Sequence, residues 1–395
     1  MDTTINKARL FNASCVALVV TALAFATKGS FVTEWGKEFS LTPTEVGWIT
    51  GTAFWGFTVA MAFGGMLVDV IGMKRIFLIA FICHLVGIIM TVCATGFWTL
   101  FISTMFIGLA NGSVEAAANP LITSMYTEEK TRRLNRFHAW FPWGIVIGGL
   151  LVWFLSLAKI TDWRWAMGIM LLPTLVYGWM LLGQKFPQTE RVTSGVSYKG
   201  MLKACTSPLF LFMAFCMLFT AATELGTNQW IAALVSNVMA HPILVLVWVT
   251  GIMALARSFG GAFVHNVKHT TILISSAALG CIGLLILGYS VDNFFLAMLG
   301  AAIFGLGVAF FWPTMLGFVS EKIPASGALG LSLMGGLGFL GSSFAQPILG
   351  NIFETQTKLL GTELAGGAST LLHVAVVPAA LVVAFLILLV WQRKK

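Results

Sequence analysis

Charge is what this chain has least of. Only 10% of its 395 residues are Asp, Glu, Lys or Arg, against about 25% in an ordinary soluble domain, so a water-solvated surface of normal extent is excluded. Acidic side chains are the scarcer sign, 15 against 23 basic, for a formal net charge of +8. Cysteine is sparse as well. Cys15, Cys83, Cys93, Cys205, Cys216 and Cys281 show neither paired spacing nor histidine neighbours suited to a metal, which argues against a disulfide framework or a zinc site. They are expected to pack as small apolar residues between helices. No phosphate-binding loop with a Walker lysine occurs, so ATP is not the expected energy source. No Ser/His/Asp or metal-ligand constellation stands out either. The expectation is a protein that is not an enzyme, with no cofactor and no metal.

Apolar residues fill the space left by charge: 58% of the chain is hydrophobic and its mean hydropathy is +0.91. Crossing the hydrocarbon of a bilayer takes about 20 apolar residues, and runs of that order dominate. They lie near 10–31, 45–69, 76–96, 98–125, 136–158, 164–184, 208–235, 242–266, 270–289, 294–319, 326–353 and 371–391. In lipid every backbone polar group needs a partner within the protein, so these runs read as helices and not strands. Lys7 and Arg9 before the first run resemble the start of a signal peptide. Thr27-Lys28-Gly29-Ser30 offers no small-residue cleavage site, however, so the first span is expected to be retained. The fold class expected is an all-α membrane protein of twelve transmembrane helices.

Orientation follows from the basic residues. With both termini inside, 18 of the 23 Lys and Arg fall at cytoplasmic positions, Arg257 among them; the other five are Lys28, Lys37, Lys159, Arg164 and Lys358. That asymmetry predicts cytoplasmic termini. It also explains the net charge without a nucleic-acid partner.

The longest polar stretch between spans, residues 185–207, divides six spans from six. This predicts an N-terminal bundle over 1–184, a cytoplasmic linker over 185–207 and a C-terminal bundle over 208–395. The halves echo each other. "FGGMLVDVIGMKR" at 63–75 matches "FGGAFVHNVKH" at 259–269, and the fourth and tenth spans each run from a glycine cluster to a proline, Gly112 to Pro120 and Gly305 to Pro313. Two related six-helix bundles imply a solute site at their interface near the midplane.

On these residues the chain resembles the major facilitator superfamily. Gly65, Leu67, Asp69, Gly72, Lys74 and Arg75 fit the family's G-x-L-x-D-x-x-G-x-K/R loop between the second and third helices. Gly72 permits a tight turn, and Lys74 with Arg75 holds the loop inside. Asp69 stands where it can accept from a neighbouring helix N-terminus or pair with a loop cation. The resemblance implies a conformational latch formed by Gly65, Asp69, Gly72, Lys74 and Arg75. Its second-half counterpart is poorly kept, with Val264, His265 and Asn266 where an acid would be sought.

A narrower resemblance is to the fucose permease branch of proton-coupled sugar symporters, carried by "EAAANP" at 115–120, "LNRFHAWFPWGIVIGG" at 134–149 and "ATELGTNQW" at 222–230. It implies that Glu115 is a protonation site. On a helix Asn111, Glu115 and Asn119 form one polar stripe, with Gly108 and Gly112 as a small-xxx-small pair beside it. An intramembrane ionisable group marks a functional site by default; interhelical hydrogen bonding is the alternative use of the stripe. The branch pairs its glutamate with an acid near the outer part of the first helix, and here Gly29 stands at that position with Lys28 beside it. Lys28 can pair with Glu115, bind an anionic solute, or snorkel to the headgroups. Fucose itself is therefore not carried over as the solute.

The seventh span supplies a second polar face. Thr220, Glu224 and Asn228 recur at intervals of four, and Gln229-Trp230 comes directly after. Amides and carboxylates meet the donors and acceptors of a hydroxyl-rich solute, and an indole covers an apolar sugar face. Trp312 before Pro313 and Gln346 before Pro347 are further candidates. His84 and His373 read as packing histidines, and His138 as a gating or packing residue.

Together these readings predict a monomeric secondary transporter, in a bacterial inner membrane, that moves a sugar or sugar derivative with protons by alternating access. Other small organic solutes (a peptide, an organic anion or a lipid), export in place of uptake, and a membrane solute sensor are the alternatives. The sensor is disfavoured by the short tails, the last of which ends at "WQRKK".

Overall fold

A computed structural model describes residues 5–128, 130–189, 198–235, 241–259, 267–290 and 293–393. Among them there is no strand. The first half holds α1 (Lys7–Ser30), a short α2 (Val32–Glu38), α3 (Pro43–Ile71), α4 (Met73–Val92), α5 (Phe97–Met125), α6 (Lys130–His138), α7 (Trp140–Leu157), α8 (Trp163–Ile169) and α9 (Leu171–Leu181). The second holds α10 (Tyr198–Cys205), α11 (Pro208–Ala221), a π turn (Ala222–Gly226) and α12 (Thr227–Leu234). It continues through α13 (Ile243–Phe259), α14 (His269–Tyr289), α15 (Phe294–Val308), α16 (Phe311–Lys322), α17 (Gly327–Leu360) and α18 (Glu363–Arg393).

Nine helical stretches among the described residues are long and apolar enough to cross a membrane. The α8–α9 pair, the 17-residue α13 and the 34-residue α17 occupy the remaining three expected positions. The sixth and tenth spans are each broken, and proline explains both. Pro173 cannot donate to the carbonyl of Ile169, and Pro313 cannot donate to that of Ala309; α8 ends at Ile169 and α15 just before Ala309. Large apolar side chains face outward, as a lipid solvent requires: Phe295 is 82% exposed and Val70 79%, with Leu172 and Trp179 also exposed. The chain is a multi-pass integral membrane protein.

The chain forms two compact units, Met1–Thr27 with Thr52–Lys199, and Lys28–Gly51 with Gly200–Lys395. In the first, α5 presses its glycines onto α3. A Cβ at Gly112 would lie 2.8 Å from that of Ala60, and one at Gly108 would strike the Ala53 carbonyl. Arg9 closes the end of α9, its Nε donating to Met180 O at 2.7 Å and its Nη2 to Trp179 O at 3.0 Å. The second unit repeats the pairing of second and fourth spans: a Cβ at Gly305 of α15 would lie 2.7 Å from Val249 O of α13. The start of α3 seats on α17 in the same way, with a Cβ at Gly47 falling 2.6 Å from the Gln346 carbonyl and one at Gly51 falling 2.9 Å from that of Ser343. Thr44 adds a hydrogen bond to Glu354 at 2.7 Å.

These approaches are tight enough to test. Gly108→Val puts a branched side chain against backbone that cannot swing away, and overpacking of this kind costs about 1–3 kcal/mol. A clearly lowered unfolding temperature and a reduced yield of monodisperse protein are expected. Gly200→Ala is the control, since nothing lies within 4 Å of a Cβ there; it leaves the unfolding temperature unchanged or raises it.

Candidate functional site

The loop between α3 and α4 is a single residue, Gly72, at φ 85°. A side chain would be strained in that left-handed conformation, so glycine is what lets the two helices succeed each other so closely. Asp69, one turn before it, accepts a hydrogen bond from the Thr189 hydroxyl in the segment that leaves α9, a partner the sequence did not suggest. Phe186 of that segment packs on Phe77, ring centroids 6.0 Å apart. Gly65 is half-buried, and Lys74 and Arg75 are exposed. Val264, His265 and Asn266, the second-half counterparts, lie outside the described residues.

In the first unit the Asn111–Glu115–Asn119 stripe divides into two networks. Asn111 Oδ1 accepts from His84 Nε2 at 2.8 Å, and His84 Nδ1 lies 2.9 Å from the Tyr177 hydroxyl. With the amide oxygen accepting, Nε2 carries the proton and Nδ1 accepts from tyrosine, so a neutral imidazole satisfies all three buried groups. The network joins α5 to α4 and α9, which accounts for His84 as a packing histidine and draws Asn111 into the same role. His373 Nδ1 donates to Ser369 O at 2.7 Å on its own helix.

Glu115 faces differently. Its Oε2 accepts from Asn119 Nδ2 at 2.8 Å, and its Oε1 lies 3.8 Å from His138 Nδ1. The Glu115 side chain is 14% exposed, while His138 at the end of α6 is 45% exposed. The more exposed His138 ring therefore stands beside the carboxylate. Asn119 Oδ1 is buried with no hydrogen-bond partner among the described residues.

The second unit holds the denser polar cluster, and the π turn shapes it. Residues 222–226 take i→i+5 bonding in place of the expected straight helix, which inserts a residue into the turn and re-aims the side chains beyond it. Thr220, Glu224 and Asn228 consequently do not share one simple i, i+4 row, although all three are buried, as are Gln229 and Trp230. Lys28, at the end of α1, is 2% exposed. The next residue, Gly29, backs onto helix α12, where a Cβ would meet Gln229 Nε2 at 2.8 Å. Gln346 of α17 is fully buried, its Nε2 donating to Ser342 O at 3.3 Å. Trp312, half-buried, packs edge-on to Phe339 with centroids 5.4 Å apart, and a Cβ at Gly338 would meet its ring at 2.8 Å.

Several atoms here are buried without a hydrogen-bond partner among the described residues: Glu224 Oε2, Thr227 Oγ1, Asn228 Oδ1, Gln346 Oε1 and Trp230 Nε1. In a folded protein a buried polar atom almost always has a partner, and leaving one without costs about 1–3 kcal/mol. Carboxylate and amide oxygens predominate in this group, and each accepts a donor.

Arg257, which the sequence reading counted among the cytoplasmic positions, is a participant that reading did not place beside Glu224. It lies on the last turns of α13, with Nη2 on Glu224 Oε1 at 3.0 Å and Nε on Ala309 O at 2.7 Å. Ala309 is the residue whose carbonyl Pro313 leaves without a helical donor, so the guanidinium repairs the break in the tenth span. The signals were an arginine inside an apolar run and a proline whose i−4 carbonyl must find a donor.

Comparison with known proteins agrees with this architecture. A D-xylose transporter of Levilactobacillus brevis is 24% identical over 158 residues, 39% of this chain and 34% of the relative. The matched segments span little more than a third of the length of such curated relatives. Among solved structures, the nucleoside transporter NupG aligns at TM-score 0.74 with 16% identity, covering 96% of this chain and 98% of that one. A D-xylose-proton symporter aligns at TM-score 0.77 with 12% identity, covering 94% and 96%. At such identities the likeness is one of fold. The Major Facilitator Superfamily model matches residues 14–346, and since it takes in both similarly packed halves and the Gly65–Arg75 turn, this chain belongs to that superfamily.

Proposed function

We propose that this chain is a secondary transporter that moves a hydroxyl-rich small solute, a sugar or sugar derivative, together with protons by alternating access. The observation that carries the reading is the set of buried oxygens on Glu224, Asn228 and Gln346 that accept nothing from the described residues. Hydroxyl groups of a polyol are donors of the required kind, arriving several at a time on one small body. Gln229 and Trp230 belong to the same stretch, onto which Gly29 beside Lys28 backs, the indole supplying an apolar face with a donor at its edge. Family membership favours transport over catalysis, and the named relatives, for xylose and for nucleosides, favour a solute of this general kind.

Glu115 is assigned the coupling proton. It is nearly enclosed, one oxygen is engaged by Asn119, and His138 connects it to the exposed end of α6. Asn111 is assigned to the helix packing that holds Glu115 in place. The Gly65–Arg75 turn keeps its assignment as a latch, with Asp69 acting through Thr189. No bound cofactor enters the scheme; the coupling ion is a proton. The protein acts as a monomer in the bacterial inner membrane, with both termini cytoplasmic.

Uptake into proteoliposomes tests the reading. A panel of labelled pentoses, hexoses and sugar acids is offered with the outside made acidic. Accumulation of at least one solute, abolished by a protonophore, is expected. Solute that binds but never crosses the sealed vesicle would make the protein a sensor, and accumulation unaffected by the protonophore would remove the proton from the scheme.

A further inference from the structure

We infer that His138 is the relay through which Glu115 exchanges its proton with water, taking the proton up on its ring and handing it to the carboxylate; this rests on the reading above that Glu115 carries the coupling proton. The groups involved belong to one compact unit, Met1–Thr27 with Thr52–Lys199. Glu115 has little access to water of its own, its side chain being 14% exposed. An enclosed carboxylate is served by a neighbour that accepts a proton from water and gives it up again, and imidazole is the side chain that does both near neutral pH. His138, 45% exposed, stands beside it.

The two oxygens of Glu115 have different neighbours. Oε2 accepts from Asn119 Nδ2 at 2.8 Å, which anchors the side chain, and Oε1 lies 3.8 Å from His138 Nδ1. That gap exceeds a hydrogen bond of about 3 Å, and a small rotation of the half-exposed ring closes it. Titratable groups are few around the pair. Glu115 is the only one that α5 carries, and α7 carries none between Trp140 and Leu157. On α6, Arg133 lies over the Tyr126 ring at 4.4 Å and Arg136 over that of Phe11 at 5.9 Å, so both guanidiniums engage aromatic faces. Lys130 and Arg132 complete the charge of that helix.

Loading takes two proton transfers. A proton from water adds to Nε2 of a neutral His138 ring that carries hydrogen on Nδ1, which places an imidazolium beside the ionised carboxylate. Nδ1 then gives its proton to Oε1: an N–H bond breaks, an O–H bond forms, and a neutral acid and a neutral ring protonated on Nε2 remain. The ring regains its first tautomer by exchange with water. Unloading runs through the same steps in reverse. Oε2 goes on accepting from Asn119 throughout, so Glu115 changes its charge without losing its anchor.

The experiment is a rapid pH jump, from mildly alkaline to mildly acidic, on the full-length protein in detergent, followed by time-resolved infrared absorption of the protonated carboxyl group. It needs no solute. The Glu115 band is the one that Glu115→Gln lacks. In His138→Ala and in His138→Asn that band is expected to appear about a hundredfold or more slowly, the lower end of what a positioned proton-transfer group contributes. Added imidazole is expected to restore the rate in proportion to its concentration, since a free base can do the work of the missing ring. Unchanged rates in both variants would overturn the relay and leave Glu115 as the proton carrier. Slowing that imidazole does not relieve would also overturn it, and would make His138 a packing residue. A jump that produces no band missing from Glu115→Gln would overturn the assignment of the coupling proton to Glu115, and the relay with it. Asparagine keeps a polar side chain where alanine does not, so His138→Asn decides the matter even where His138→Ala folds poorly.

Discussion

Glu115→Gln is expected to abolish concentrative uptake while leaving exchange intact. Each unit of pH difference is worth about 1.4 kcal/mol per proton, so one-to-one coupling allows about tenfold accumulation per unit. Glutamine keeps the size and hydrogen-bonding capacity of the side chain but cannot take up and release a proton. The accumulation ratio should therefore fall to about one under the same gradient. Exchange of labelled for unlabelled solute, which needs no net proton movement, should continue. The amide can still meet Asn119, to which Glu115 is bonded at 2.8 Å, so a local folding defect is not built into the substitution. A Glu115→Gln protein that still concentrates solute would show that the proton rides elsewhere, and one that loses exchange as well would make Glu115 a structural or binding residue.

The fold was legible because it depends on the coarsest property of the chain. Runs of about 20 apolar residues admit one conformation in hydrocarbon, and all twelve have helical counterparts. The Gly108–Gly112 pair was legible for a similar reason: small residues four apart let one helix lie against another, and α3 lies there. Helix geometry within one element could not go further. On a helical wheel Asn111 belongs with Glu115, and only the arrival of His84 and Tyr177 from α4 and α9 separates them. The same holds for His138, whose proximity to Glu115 depends on how α6 meets α5.

The seventh span illustrates a different boundary. Its polar residues stand out at once against the apolar background, but "ATELG" carries no local mark that distinguishes a π turn from an α turn. Bonding of the i→i+5 kind needs support from neighbours, and α17 packs closely here, with Ala345 and Leu349 against Gly226. Arg257 escaped for want of its partner: charge near a span end satisfies the orientation rule by itself, and nothing in that rule distinguishes a loop cation from one turned inward to a broken helix.

That inward turn leads to the largest expected effect on stability. Arg257→Met leaves Glu224, whose side chain is 3% exposed, without its cation, and leaves Ala309 without its donor. Removing one partner of a buried pair costs about 3–5 kcal/mol, so Arg257→Met is expected to unfold at a much lower temperature than the parent. Glu224→Gln should be milder, because the amide oxygen still accepts from the guanidinium and the contact with Ala309 survives. The double variant Glu224→Leu/Arg257→Met separates the terms. It removes both charges but not the orphaned carbonyl, whose burial costs about 1–3 kcal/mol; its stability should lie between that of Arg257→Met and that of the parent. A double variant no more stable than Arg257→Met would mean that the Ala309 contact, and not the ion pair, is what the arginine supplies to the fold. Solute binding should remain lost in the double variant even as stability returns. That divergence is what separates a residue kept for packing from one kept for the site.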